Sequence, residues 1–125
     1  MENRKKIVVI DDSKVQLRAL SELMKNDYEV VTASSGHEGI EILKQDGADL
    51  VLLDYTMPGL NGKETLEILQ NHEETKHIPV IFITGDNEKE DVVEVLKLHP
   101  QGYLLKPVKP DRLFQAIEDV LGKDD

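Results

Sequence analysis

Short unbroken apolar runs alternate along the chain with longer stretches in which apolar residues return every three or four positions. "KIVVIDD" (residues 6–12), "YEVVTAS" (28–34), "ADLVLLD" (48–54), "IPVIFITG" (78–85) and "GYLLKP" (102–107) are rich in Ile, Val and Leu and predict strands. Between them, Leu17, Leu20, Leu23 and Met24 fall at helical spacing from Lys14 to about Lys25. "GHEGIEILKQDG" (36–47) reads as a short helix closed by Gly47, and "KETLEILQN" (63–71) as another. "NEKEDVVEVLKLH" (87–99) predicts a fourth helix with Val92, Val95, Leu96 and His99 on one side. Pro110 suits the first turn of a last helix, in which Leu113, Ala116, Ile117 and Val120 share a face.

Strand and helix thus alternate about five times, the pattern of an α/β protein with a parallel sheet. The central runs lack in–out alternation, as expected of strands covered by helices on both faces. Right-handed crossovers then require a doubly wound, three-layer sandwich with a switch point in its strand order. Residues 1–125 are expected to form a single domain, with no linker, repeat or low-complexity tract.

Charge narrows the partners. Twenty-five Asp and Glu against 15 Lys and Arg leave a formal net charge of -10, which works against a nucleic-acid backbone and suits a cation or a basic protein surface. The absence of cysteine excludes disulfides, thiolate metal sites and cysteine nucleophiles. The apolar run Ile7 to Ile10 is too short for a signal peptide or a membrane span, so a cytoplasmic protein without membrane attachment is expected.

The polar residues that interrupt the apolar pattern carry the chemistry. The first strand ends in Asp11-Asp12, the third in Asp54, the fourth in Thr84-Gly85 and the fifth in Lys106-Pro107. Parallel strands bring these ends to one edge of the sheet, where open α/β sheets bind ligands. The second strand ends in Thr32 to Ser35, without an ionisable group, which fits an outer position. Taken singly, Asp11-Asp12 also reads as a helix start, Asp54 as a turn cap, and Thr84 and Lys106 as ordinary structural or solvated residues.

Taken together, they suggest phosphoryl chemistry. Converging carboxylates repel one another, and Mg²⁺, which takes hard oxygen ligands, relieves that repulsion. Lys106 adds a compact cation and Thr84 a short hydroxyl, which complete what a phosphoryl group's charged oxygens need. A carboxylate can itself be the nucleophile, giving an acyl phosphate, and Asp54 fits that role best.

These residues resemble the receiver domain of two-component response regulators. Asp11-Asp12 after "IVVI", Asp54 in "LLDYTMPGLNG", Thr84-Gly85 after "VIFI", and Tyr103 with Lys106-Pro107 in "YLLKP" come in that family's order across essentially the whole chain. The resemblance implies a flavodoxin-like sheet in strand order 2-1-3-4-5. It also implies that Asp54 takes a phosphoryl group from a sensor histidine kinase or a histidine phosphotransfer protein. Asp12 is then a direct ligand of Mg²⁺ (or Mn²⁺) and Asp11 a ligand mainly through water, with the Asp54 carboxylate and the Thr56 carbonyl completing the protein ligands. Lys106 pairs with Asp54, Thr84 swings towards the phosphoryl group, and Tyr103 turns inward, although Tyr103 also reads as core packing. Thr56 and Asp86 are the lifetime-tuning positions, Gly85 leaves the pocket roomy, and the Lys106-Pro107 bond is a cis peptide that aims the lysine.

The same resemblance places the output surface on the fourth helix, fifth strand and fifth helix, facing a downstream effector, and transient self-association through that face is compatible with it. Phosphorylation and dephosphorylation are then self-catalysed steps of a signalling domain rather than of an enzyme with turnover. His99-Pro100-Gln101 departs from the family's usual short turn, and Pro100 is expected to stop the fourth helix there. His72 and His77, and the acidic run from Asp86 to Asp91, read as solvated. With only "GKDD" after Leu121, a stand-alone receiver and a piece of a longer regulator both remain open.

Three other functions compete. A phosphohydrolase resembling the haloacid dehalogenase group needs Asp-x-Asp on its first strand, whereas these acids are adjacent. A flavodoxin-like cofactor protein needs a Gly- and hydroxyl-rich phosphate loop after that strand. A receiver fold serving as an unphosphorylated interaction module is disfavoured by the intact polar set.

Overall fold

The computed structural model describes residues 4–122. Strands β1 (Lys6–Ile10), β2 (Glu29–Ala33), β3 (Leu50–Leu53), β4 (Val80–Thr84) and β5 (Gly102–Leu105) alternate with helices α1 (Lys14–Met24), α2 (Gly36–Asp46), α3 (Gly62–Gln70), α4 (Lys89–Leu96) and α5 (Pro110–Leu121). All strand pairs are parallel, in the order β2-β1-β3-β4-β5. This is the expected doubly wound sheet. β2 is an edge strand, and the order reverses between β1 and β3, leaving a crevice at their carboxyl ends.

Successive strand side chains point to opposite faces, so each central strand supplies two cores. Val8, Ile10, Val51, Leu53, Val80 and Phe82 meet Ile40, Leu43, Leu66, Leu69 and Val95 from α2, α3 and α4. On the other face Ile7, Val9, Leu50, Leu52, Ile81 and Ile83 meet Leu17, Leu20, Leu113 and Ile117 from α1 and α5. Burying each such side chain fully contributes about 1.5–3 kcal/mol. The sheet is therefore clamped from both sides.

Local signals set most helix ends. Ser13 and Ser35 accept hydrogen bonds from Gln16 and Glu38 N–H and so cap α1 and α2. Asn61 and Glu64 form a reciprocal capping box at α3. Gly47 closes α2 as expected, at φ 69° and ψ -175°, a positive-φ conformation open to glycine but extended in ψ instead of the left-handed helical cap the sequence suggests.

α4 differs from the expectation. It ends at Leu96, three residues before His99, and Val95 is its one fully buried residue. Leu96 is 50% exposed instead of sharing a buried face with Val92 and Val95. Leu98 and His99 N–H turn back to the Val95 and Leu96 carbonyls, and His99 sits at φ 59°. Pro100 disfavours a helical residue before it, so the chain leaves the helix through a left-handed residue. No helix among the described residues is long and apolar enough to cross a membrane.

Candidate functional site

Backbone pairing brings the polar strand ends together. Asp11 N–H donates to the Ala33 carbonyl, and Asp54 N–H to the Ile10 carbonyl at 3.0 Å, which continues the ladder past the strand ends. Lys106 N–H donates to the Thr84 carbonyl at 2.9 Å, and the Lys106–Pro107 peptide is cis, as expected. Behind β3, the backbone of Gly62 lies so close that a Cβ there would stand 2.5 Å from the Asp54 carbonyl oxygen. The end of β3 and the start of α3 are thus in backbone contact.

The charged groups converge as the strand order predicts. Lys106 Nζ donates to Asp11 Oδ2 at 2.8 Å and to Asp54 Oδ2 at 3.3 Å. Its closer partner is Asp11, although Asp54 is the pairing the sequence suggests. Asp11 Oδ1 also accepts the Ser13 N–H at 2.9 Å. Asp11 and Asp54 are 2% and 7% exposed, while Asp12 is exposed. Burial raises the Asp11 pKa, with the Asp54 charge adding to it and the hydrogen bonds from Lys106 and Ser13 opposing it. Burial alone lowers that of Lys106, but the hydrogen bond to Asp11 and the charges of Asp54 and Asp11 outweigh it, so the net direction is upward.

The donor set fits a hard divalent cation. One oxygen from each of Asp11, Asp12 and Asp54 lies within 4.8 Å of the others. Asp54 Oδ1 is buried without a hydrogen-bond partner, a costly state for a carboxylate oxygen unless a cation or an incoming donor meets it. These three acids could hold Mg²⁺ through oxygen alone. Thr56 lies at the rim of the adjoining cleft, with Asp54, Thr84, Gly85 and Asp86.

Beyond that cleft, Thr84 is fully buried and its Oγ1 accepts the Asp86 N–H at 3.2 Å. The Tyr103 ring stacks on Phe82, centroids 5.8 Å apart, and its hydroxyl donates to the Asp86 carbonyl at 2.7 Å. Burial, then the charges of Asp86 and Asp91, push the Tyr103 pKa up to about 12. A Cβ on Gly85 would meet nothing within 4 Å, so the pocket is roomy there. Asp86 Oδ1 accepts the Glu88 N–H at 2.9 Å, and burial followed by the Asp91 contact raises its pKa.

Two solvated readings need correction. Asp86 and Asp91 are half-buried, and Asp91 Oδ1 accepts the Tyr55 hydroxyl at 3.3 Å. His72 is half-buried with Nδ1 2.9 Å from the Ile68 carbonyl, at the end of α3, whereas His77 is exposed as expected. Sequence reasoning also missed Tyr55 and Ser13. Ser13 was findable as a helix cap after Asp12, but the Tyr55–Asp91 pairing spans 36 residues and leaves no local signature.

Comparison with known proteins agrees with this geometry. Residues 7–118 match the response regulator receiver domain. The chain belongs to the response regulator receiver domain family. This receiver domain is 34% identical over 117 residues to protein PilH of Pseudomonas aeruginosa, a match covering 93% of the chain and 97% of PilH. It is 40% identical over 114 residues to the nitrate/nitrite response regulator protein NarL of Escherichia coli, where it covers 89% of its own length but 52% of NarL. The structure of chemotaxis protein CheY4 from Vibrio cholerae superposes with a TM-score of 0.88 at 25% identity, over 94% of this chain and 99% of that one. The receiver domain has the flavodoxin-like topology in the expected order 2-1-3-4-5 and is a signalling domain of two-component systems.

Proposed function

We propose that Asp54 is the phosphoacceptor of this receiver domain, taking its phosphoryl group from a phosphohistidine on a sensor kinase or a histidine phosphotransfer protein. The observation that carries this is Asp54 Oδ1, buried and unpartnered beside Asp11, Asp12 and Lys106. A carboxylate oxygen attacks phosphorus, the P–N bond breaks, and the imidazole nitrogen leaves with the electron pair and takes a proton. The product is an aspartyl phosphate.

Asp11, Asp12, Asp54 and the Thr56 carbonyl would hold Mg²⁺ (or Mn²⁺), which when bound supplies positive charge to the phosphoryl oxygens. Lys106 has one ammonium shared between Asp11 and Asp54, so it can follow the charge from the Asp54 carboxylate to the phosphoryl oxygens. Thr84 exchanges its Asp86 N–H partner for a phosphoryl oxygen, and Tyr103 reports that exchange to the loop through the Asp86 carbonyl. Thr56, Gly85 and Asp86 border the approach of hydrolytic water and set the phosphoryl lifetime.

The changed surface comprises α4, β5 and α5, read by a downstream effector. Residues 1–125 act as one receiver domain in the cytoplasm, with self-catalysed phosphorylation and dephosphorylation. The test is intact-mass measurement after incubation with acetyl phosphate and Mg²⁺. One alkali- and hydroxylamine-labile phosphoryl group is expected on the wild type and none on Asp54→Asn. No gain in the wild type, or an equal gain in the variant, overturns the assignment.

A further inference from the structure

α4 has the weakest apolar anchorage of the five helices, with Val95 alone fully buried. Its N-cap residue, Glu88, makes no side-chain capping bond. What ties the start of this helix to the body is a polar cluster. Asp86 uses its N–H for Thr84 Oγ1, its carbonyl for the Tyr103 hydroxyl, and its Oδ1 for the Glu88 N–H. The Asp86 carboxyl is also influenced by Asp91, in the first turn of α4, which raises its pKa. Asp91 Oδ1 in turn accepts the Tyr55 hydroxyl.

Tyr55 immediately follows Asp54 and is well placed as a fixed post. Its carbonyl accepts the Gly62 N–H at 2.7 Å, and its half-buried side chain packs against the core cluster that includes Leu66 and Val95. As carboxylates, Asp86 and Asp91 repel one another, the direction in which Asp91 shifts the Asp86 pKa. The Tyr55 hydroxyl and the Glu88 N–H are the donors that hold them in place. The helix start is therefore restrained against a built-in repulsion.

We propose that Tyr55 and Asp91 are positioning residues that tether α4 to the phosphoacceptor strand, a second route from the site to the output face beside Thr84, Asp86 and Tyr103. This rests on the assignment of Asp54 as acceptor. When the Thr84 hydroxyl turns to a phosphoryl oxygen, the Asp86 N–H loses its acceptor and the loop before α4 is released. The Tyr55–Asp91 bond then sets how far the helix moves. Tyr55 touches neither the cation ligands' oxygens nor Lys106 through its hydroxyl, so the tether acts on the response and not on phosphoryl uptake.

Amide hydrogen exchange of residues 89–96 tests this, in the resting protein and with acetyl phosphate and Mg²⁺. Tyr55→Phe is expected to speed exchange in resting α4 about fivefold, the size of one lost hydrogen bond, and Asp91→Ala, which loses the repulsion together with the bond, to speed it less. The other helices should be unchanged, and the phosphorylation rate should stay within about twofold. The difference in α4 exchange between the two states should shrink in both variants. Asp91→Asn keeps an acceptor for Tyr55 and removes the repulsion, so its resting exchange should match or fall below that of the wild type. Unchanged α4 exchange in Tyr55→Phe, or faster exchange spread over every helix, overturns the tether. If the wild type takes up no phosphoryl group, the Asp54 assignment is what fails, and the resting comparison still decides the tether.

Discussion

Lys106 Nζ and Asp11 Oδ2 meet at 2.8 Å across 95 residues of chain, a closer approach than the lysine makes to Asp54. The lysine is therefore shared between Asp11 and Asp54, and lies closer to the former. Its folded pKa is raised, so its contribution to stability is intact below the ordinary value of 10.5 and lost as pH rises through the raised one. Tyr103 follows the same sign, from 10.0 to about 12. Urea midpoints measured without Mg²⁺ should fall as pH rises past 10, and fall less steeply in Lys106→Met and Tyr103→Phe.

Asp11 has the opposite consequence at neutral pH. Its raised pKa means that the neutral form is favoured in the fold, a contribution present below 3.8 and lost as pH rises through the raised value. Asp11→Asn should therefore be more stable than the wild type at pH 7, by a few degrees in Tm. That advantage should disappear below about pH 3.8. A variant less stable than the wild type at pH 7 would show that the Lys106 bond outweighs the burial.

Mg²⁺ should stabilise the wild type by mass action, since the acids converge only in the folded chain. Asp12 has the exposed carboxylate of the cluster, and removing its charge leaves two acids. Asp12→Asn should weaken Mg²⁺ binding about tenfold or more, read as a smaller rise of Tm with added Mg²⁺.

The two glycines beside the site should respond differently to alanine. At Gly62 the new methyl would meet the Asp54 carbonyl oxygen at 2.5 Å and Tyr55 Cα at 2.7 Å, backbone atoms that cannot step aside. Gly62→Ala should cost about 1–3 kcal/mol and slow phosphoryl uptake by shifting Asp54. Gly85→Ala meets nothing within 4 Å and should stay within about 0.5 kcal/mol of the wild type. Chemical denaturation checks both.

α4 gives a similar contrast. Val95 is fully buried and Leu96 is 50% exposed, so Val95→Ala should cost about 1–3 kcal/mol and Leu96→Ala less than about 0.5. Equal losses would restore the buried face that the apolar spacing suggests.

Strands and long helices were legible because a parallel sheet buries whole runs, as at Leu50–Leu53, and because amphipathic helices repeat, as at Leu113 and Ile117. Strand-end position then identified Asp11, Asp54, Thr84 and Lys106 as neighbours. α4 misled because Leu96 and His99 fit a helical period that the chain does not complete; the turn before Pro100 takes over first. The partners of Asp86 and Asp91 were not legible, and for Lys106 the sequence suggested Asp54 but not the closer contact with Asp11. Side-chain pairings between distant segments depend on loop geometry, which neither spacing nor composition encodes.

β3 alternates between two separate cores, with Leu50 and Leu52 in one and Val51 and Leu53 in the other. A slip of one residue would invert every one of these placements and carry Asp54 about 3.3 Å along the strand, away from Lys106. The position of Asp54 is thus indexed by two independent packing surfaces at once. Mutations confined to the outer faces of the helices can accumulate, and partners can change with them, while the distance from Asp54 to the rest of the site stays fixed.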